Sequence, residues 1–304
     1  MSVTFRQLRT LLALAEHGSV SGAARATHVT QPTASMQLRE LTESVGLPLH
    51  EVIGKKVHLT AAGEALVQTA RGMVDAWALF EQQVAAMKGL HRGRLKVAVV
   101  STAKYFVPRW LGSFCQAHPE VEIALEILNR DGVVQRLRQN RDDLCIMSIP
   151  PRDLEVDARE FLANPLVVVA PRGHALAGRA ALTLADIQGE RFILRETGSG
   201  TRMAAAQHFA AQGWAPQVRL ELGSNEAIKQ AVAGGLGIAV LSRHALAADP
   251  AQEGLALLPV QGFPIHAHWY IVRLRGKQLS PIARAFEHHL LRQALGRGPG
   301  PEDG

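Results

Sequence analysis

About sixty residues, from Thr4 to Gly63, hold three helical patterns, a tight turn and a short hairpin pattern, and so much punctuation in so little chain leaves few folds open. Thr4-Phe5-Arg6-Gln7 is a capping box: Thr4 can accept the Gln7 amide while the Gln7 side chain reaches back, so a helix starts here. Phe5, Leu8, Leu11, Leu12 and Ala15 then recur on one face until Gly18 and Ser19 break the pattern. A second short helix runs through Ser21-Gly22-Ala23-Ala24-Arg25-Ala26, whose small residues allow close backbone approach, and stops around His28. Thr30 is a good N-cap for a third, Pro32 is tolerated in its first turn, and Ala34, Leu38 and Leu41 form its apolar stripe.

Two helices joined by so short a turn, the second polar at its N-terminal end, predict a helix-turn-helix that seats a recognition helix in the DNA major groove. At about 100° per residue, Pro32, Met36 and Arg39 lie opposite the apolar stripe, with Thr33 and Ser35 on its flanks beside Thr30. Gln31 sits at the leading end, where its amide can pair with adenine, and Arg39 is better placed for phosphate. Leu47 to Thr60 reads as a small wing, with Val52-Ile53 and Val57-His58-Leu59 around Gly54-Lys55-Lys56. The cations Lys55 and Lys56 at its tip suit a phosphate or the minor groove. The first sixty residues carry six cations against four carboxylates, too small an excess to prove DNA binding. On these residues alone a tri-helical bundle without a nucleic acid partner stays open.

Thr60 caps a longer helix reaching Leu90, along which Leu66, Ala70, Met73, Trp77, Phe80, Val84 and Met87 recur every three or four residues. Such a seam packs on its own domain or forms a dimer coil, and the dimer is preferred because little other chain lies nearby in sequence. A dimer presents two recognition helices, so the target is double-stranded DNA with an imperfect inverted repeat.

After a Gly-, His- and Arg-containing hinge at residues 89–94 the rhythm changes. Leu95 to Val100 reads as a buried strand, followed by a helix with Phe106, Trp110, Leu111 and Phe114. Val121 to Leu128 and Asp143 to Ile149 are further strands with a helix from Val133 to Gln139 between them. A second module repeats the alternation, with strands at Leu166 to Ala170, Phe192 to Leu194, Val218 to Leu222 and Ile238 to Leu241. Helices lie at Thr201 to Gln212 and Ser224 to Ala233. His268 to Val272 returns as a strand, and Ser280-Pro281 opens the last helix. Alternation of this kind predicts a mainly parallel sheet. The expected fold class is therefore α/β: an N-terminal winged helix-turn-helix at 1–60, a linker and dimerisation helix at 61–90, and a two-lobed, periplasmic-binding-protein-like domain at 91–297. Lobe I takes 94–162 and 269–297, lobe II takes 163–268, and the Gly- and Pro-rich tail 298–304 is expected to be disordered.

At 304 residues the chain can bury a core in each part, and a net charge of +6 suits an anionic partner. Cys115 and Cys145 are too few for a disulfide framework and lie in apolar surroundings, which predicts core thiols in a reducing compartment. The opening residues hold no apolar signal region and no apolar run reaches bilayer length, so a cytoplasmic protein without a membrane partner is expected.

In α/β sheets, ligands bind beyond the C-terminal ends of strands, against helix N-termini that favour anions. Three places qualify. Ser101-Thr102 follows the first strand, with Lys104 as a nearby cation; Ser148 ends a strand beside the crossover; and Gly198-Ser199-Gly200-Thr201-Arg202 opens a helix, its glycines permitting close approach. For each, ordinary helix capping is the competing explanation. Gly234-Gly235-Leu236-Gly237 follows a helix and precedes a strand, the wrong order for a dinucleotide loop. The residues show no nucleophile elbow and no metal-ligand spacing. The histidines are scattered, and His288-His289 is expected to face solvent. No catalytic residue, metal or cofactor is therefore expected. An α/β-cleft enzyme with an appended DNA-binding domain and a purely architectural DNA binder are the competing classes.

Phe5-Arg6-Gln7-Leu8, Ser21-Gly22-Ala23-Ala24, Thr30-Gln31-Pro32-Thr33-Ala34-Ser35, Gly46-Leu47-Pro48-Leu49 and Leu59-Thr60-Ala61-Ala62-Gly63 together resemble the LysR-type transcriptional regulators over nearly the whole chain. The chain departs from that family at His50, where Phe is usual, and at Val52, where Arg is frequent. The segments Val100 to Arg109, Asn164 to Val168, Gly198 to Arg202 and Gly223 to Val232 are similar to the CbbR-type subgroup, which regulates carbon-fixation (Calvin cycle) operons. The resemblance implies a homodimer assembling to a homotetramer that bends DNA, an activator working with RNA polymerase. It also implies control by a small anionic effector, a phosphorylated sugar or NADPH. Regulation of another metabolic operon is the alternative.

Overall fold

A computed structural model describes residues 3–53, 56–87 and 93–296. The chain divides into two compact units, one over residues 1–90 with 139–141 and the other over the rest.

In the first unit the capping box forms as the sequence predicts: Gln7 N donates to Thr4 Oγ1 at 3.3 Å and Thr4 N to Gln7 Oε1 at 2.9 Å, opening α1 (Phe5–His17). Gly18, at φ 62°, ends it. Ser19 caps α2 (Val20–Ala26) and Thr30 caps α3 (Gln31–Val45). Leu8, Leu11, Leu14, Ala23, Leu38 and Leu41 close a common core, joined by Leu49, Val67 and Ala70. Polar ties fix the helix register, with Thr10 Oγ1 donating to Gln37 at 2.6 Å and Gln7 Nε2 to Glu40 at 3.0 Å. Phe5, expected on the core face, is instead 43% exposed and packs on Trp77 at a centroid distance of 5.9 Å.

The wing is an antiparallel pair, β1 (His50–Ile53) and β2 (Lys56–Leu59), in register His50 with Leu59. α4 (Ala61–Met87) follows, with Gly63 N donating to Thr60 Oγ1 at 3.1 Å while the Thr60 hydroxyl donates to Pro48 O at 2.6 Å. Gly63 is obligatory here, because a Cβ would overlap the Leu49 carbonyl oxygen. Of the hinge expected at 89–94, residues 89–92 lie outside the described residues and 93–94 begin the next strand; residues 88–90 at the expected helix end and the tail 298–304 also lie outside them.

The second unit contains β3 (Gly93–Val100), α5 (Val107–Ala117), β4 (Val121–Leu128), α6 (Arg130–Arg138) and β5 (Leu144–Met147). Then come β6 (Val156–Pro171), β7 (Arg191–Arg195), α7 (Gly200–Ala211), β8 (Gln217–Leu222), α8 (Asn225–Ala233) and β9 (Ala239–Ser242). β10 (Leu255–Leu258), β11 (Ile265–Leu274) and α9 (Pro281–Leu295) complete it. The expectation of a mainly parallel sheet is corrected. β4, β3 and β5 are parallel, as are β7 and β8, but β11 pairs antiparallel with β5 and β6, and β9 and β10 pair antiparallel with β6. The reason lies in β6 and β11, which carry the chain across from one lobe to the other and back, so they run in opposite directions. β6 begins at Val156 rather than Leu166, because its first half, with Asp157, Arg159 and Glu160 exposed, gives no buried-strand signal. β10 has no counterpart in the sequence expectation.

Lobe I closes around Val97, Val99, Trp110, Phe114, Ile146 and Phe286. Lobe II has two clusters, one with Phe192, Phe209 and Ile238 and one with Ile193, Ile228 and Leu241. Cys145 is a core thiol whose pKa burial pushes up, whereas Cys115, expected in the core, is only half-buried. His288 is exposed, but His289 does not face solvent: its Nε2 lies 2.9 Å from Ser113 Oγ and its ring packs against Phe114 and Phe286. Burial accordingly holds the His289 pKa below the usual histidine value.

Candidate functional site

The apolar stripe of α3 is buried as its periodicity requires, with Ala34 and Leu41 at 0% and Leu38 at 2% exposure. The opposite face is open. Thr30, Gln31, Pro32, Ser35, Met36 and Arg39 are exposed and Thr33 is half-buried. Gln31 is partly pre-oriented, its Oε1 accepting from the Ser21 hydroxyl at 3.0 Å, and the Thr30 and Thr33 hydroxyls meet at 2.8 Å. Lys55 lies outside the described residues, and of Lys56 the backbone alone is described, as the first residue of β2.

A small cavity of about 10 Å³ lies where the two lobes of the second unit meet. Ser101 and Thr102, after β3, and Ser148, after β5, line it from lobe I; Ser199, Gly200 and Thr201 line it from the start of α7 in lobe II. Six residues picked from sequence thus converge on one space. Ser199 is the N-cap of α7, so the first amides of a twelve-residue helix are at hand for a negative group. Gly198, at φ 87°, offers its carbonyl to Asp131 N at 3.3 Å, and a Cβ there would come within 2.6 Å of Asp131 Oδ2. A Cβ on Gly200 would meet Ser148 Oγ at 3.1 Å. The glycines therefore serve close approach of the lobes.

The two cations expected here are placed elsewhere. Lys104 pairs with Glu226 at 2.8 Å, and Arg202 pairs with Glu221 at 2.6 Å while donating to Arg195 O at 2.9 Å. Neither lines the cavity. Glu226 also accepts from the Tyr105 hydroxyl. Burial opposes the Glu226 charge, but hydrogen bonds from Lys104 and Tyr105 outweigh it and hold the carboxyl down at about 2. Burial first, and Glu226 second, push the Tyr105 phenol above its ordinary range.

Sequence reasoning missed Asn129, Arg130, Arg195 and Trp269, which complete the lining with Val100. Arg195 is 3% exposed and organises the site. Its Nη1 donates to Asn225 Oδ1 at 2.8 Å, its Nη2 to Ser101 Oγ at 2.9 Å, and its Nε to Glu196 at 2.8 Å. Asn225 Nδ2 in turn donates to Thr102 Oγ1 at 3.2 Å, so Ser101 and Thr102 are both tied to lobe II. Arg130 donates to Ile149 O at 2.8 Å and pairs with Asp131 at 3.3 Å. Both cavity guanidiniums thus already face a carboxylate. The polar groups of the lining not engaged with a carboxylate are mainly hydroxyls and backbone amides. Among the described residues no group of histidines, cysteines and carboxylates is arranged to hold a metal.

A winged helix-turn-helix joined by a long helix to a two-lobed α/β unit with an inter-lobe cavity defines a ligand-responsive DNA-binding regulator. Comparison with known proteins makes the class specific. The bacterial regulatory helix-turn-helix pattern of the lysR family matches residues 5–64 and the LysR substrate binding domain matches residues 88–295, so the chain belongs to the LysR family of transcriptional regulators, which are not enzymes. It is 46% identical over 298 residues to a RuBisCO operon transcriptional regulator of Acidithiobacillus ferrooxidans, covering 98% of this chain and 96% of that one. It is 43% identical to the transcriptional activator CmpR of a Synechocystis strain, covering 95% of each. The regulatory domain of Synechocystis CcmR, solved in complex with 2-PG, is 47% identical with a TM-score of 0.65, covering 67% of this chain and 98% of that one. Full-length CbnR, 24% identical with a TM-score of 0.66 over 96% of this chain and 99% of its own, shares the fold. Among the described residues no helix is long and apolar enough to cross a membrane.

Proposed function

We propose that this LysR-type regulator controls carbon-fixation genes from the cytoplasm, binding an imperfect inverted repeat through α3 and the wing and responding to a small anion held between its lobes. Supporting the operon assignment is the near full-length similarity to regulators of RuBisCO operons. Supporting the effector site is the convergence of Ser101, Thr102, Ser148, Ser199, Gly200 and Thr201 on one cavity, the observation that carries the reading. A cavity of about 10 Å³ admits little more than one water-sized group, so a ligand must part the lobes. A compact phosphorylated metabolite parts them least, whereas NADPH demands a far wider opening; 2-PG in the related CcmR domain agrees with the smaller choice.

In this reading the chain works as a homodimer that assembles to a homotetramer, and the bound anion changes how the DNA-binding dimers are spaced, and hence whether DNA is bent and RNA polymerase recruited. A tenfold preference of effector for one arrangement supplies about 1.4 kcal/mol, enough to tip a balanced equilibrium. The test is footprinting on DNA flanking the protein's own gene at fixed salt, with and without 2-PG, ribulose bisphosphate or NADPH. A protected inverted repeat whose length changes with effector supports the proposal, and no protection at moderate salt overturns it. Thr102→Ala and Thr201→Ala are predicted to weaken the effector response about tenfold while leaving operator affinity within twofold. Collapse of operator binding in both would assign those residues to folding instead.

A further inference from the structure

Trp269 is the largest side chain on the cavity wall, and at 1% exposure its indole Nε1 has no hydrogen-bond partner among the described residues. Buried tryptophan N–H groups ordinarily find an acceptor, and an unmade bond there is costly. Of the neighbouring rings, Phe106, at a centroid distance of 5.3 Å, has no acceptor, and His244, at 6.2 Å, places its Nε2 2.8 Å from Ala163 O. The backbone around Trp269 is also irregular. Register between β11 and β6 shifts there, pairing Trp269 with Leu162 and Tyr270 with Glu160, so that Phe161 is passed over. A bulge of this kind re-aims a side chain, and this one sits where the crossing strands pass the cavity.

Resting on the anion-binding reading above, we propose that Trp269 is the specificity-determining donor of the cavity. One anionic end of the effector meets the α7 N-terminus and its hydroxyls, and a second oxygen accepts from the Trp269 indole. Because Arg130 and Arg195 already face Asp131 and Glu196, charge alone discriminates poorly here, and a neutral N–H without a partner separates ligands by shape and acceptor position. The class selected is a short phosphate monoester with a carboxylate or carbonyl a few bonds away. Inorganic phosphate and simple alkyl phosphates fill one end only.

The test titrates full-length wild-type protein and Trp269→Phe with phosphoglycolate, methyl phosphate and inorganic phosphate by calorimetry. Expected is a loss on the order of tenfold for phosphoglycolate in Trp269→Phe with the other two probes unchanged, since Phe keeps the ring and removes the N–H. Equal affinities in both proteins, or an equal loss for all three probes, would overturn the role of Trp269 and leave the anion site standing. Failure of every probe to bind the wild type would overturn both readings. A second measurement needs no variant at position 269. In the wild type the Trp269 indole 1H–15N resonance, assigned by substituting Trp77, Trp110 and Trp214 in turn, is expected to move downfield with phosphoglycolate and to stay in place with inorganic phosphate. A resonance that ignores both ligands would overturn the proposal.

Discussion

Arg195 is the residue whose role the linear sequence hides most completely: it ends a strand and matches no motif, yet its guanidinium joins Ser101, Asn225 and Glu196. Its charge is buried and matched in several directions at once, so truncation leaves polar partners stranded. Arg195→Ala is predicted to lower unfolding free energy by about 3 kcal/mol, read from chemical denaturation. Arg195→Lys should recover little, because a point ammonium cannot span the same fork of acceptors. A loss below about 1 kcal/mol for Arg195→Ala would show the network to be dispensable. Glu226 gives the pH-dependent counterpart. Its carboxyl is held at about 2 against an ordinary 4.5, so its contribution is fully present above 4.5 and fades as pH falls toward 2. In wild type, stability should therefore decline through that acid window more steeply than in Glu226→Gln; parallel acid-unfolding curves would refute it. Because the side chain is 47% exposed, solvent screening keeps this difference modest.

At the scale of elements, the DNA-reading unit depends on the joint between wing and long helix. Thr60 caps α4 while gripping Pro48, and Gly63 lets the first turn of that helix lie against the Leu49 backbone. Gly63→Ala improves intrinsic helix propensity by about 1 kcal/mol. The clash with a carbonyl oxygen should nonetheless prevail, with a net loss of about 1–3 kcal/mol and weakened operator binding, measurable by thermal unfolding and DNA titration. A more stable variant would mean that the joint can move apart. The crossing pair β6 and β11 has a comparable place in the second unit. These strands tie the lobes together, and their antiparallel register places the Trp269 bulge beside the cavity.

For the whole molecule, the proposed assembly turns on one face of α4. Met73, Trp77 and Phe80 are 51%, 47% and 52% exposed on α4, with Trp77 and Phe80 rings 5.6 Å apart and Phe5 alongside. An apolar stripe of that kind marks an interface. Trp77→Glu is predicted to leave the chain folded, with a loss of about 1 kcal/mol from the Phe5 and Phe80 contacts, and to lower the mass seen by analytical ultracentrifugation to that of a monomer. An unchanged mass would place the interface elsewhere. The helix-turn-helix, its caps and its buried stripe were legible in the sequence because they rest on local hydrogen bonds and a 3.6-residue period, which act between residues a few positions apart. The strand-end hydroxyls and the Gly-Ser-Gly-Thr-Arg turn were legible for the same reason, as local features of helix N-termini. What tertiary structure alone decided were contacts between distant segments. Lys104 and Arg202, plausible as cavity cations from their positions, are drawn into pairs with Glu226 and Glu221. Arg195 and Trp269 reach the cavity because a strand end and a bulged crossover are brought to the same place. Local chemistry thus determined the elements and their caps, while the partners of buried charges and donors were decided by folding, since a side chain's burial and its available acceptors exist only once the lobes have packed.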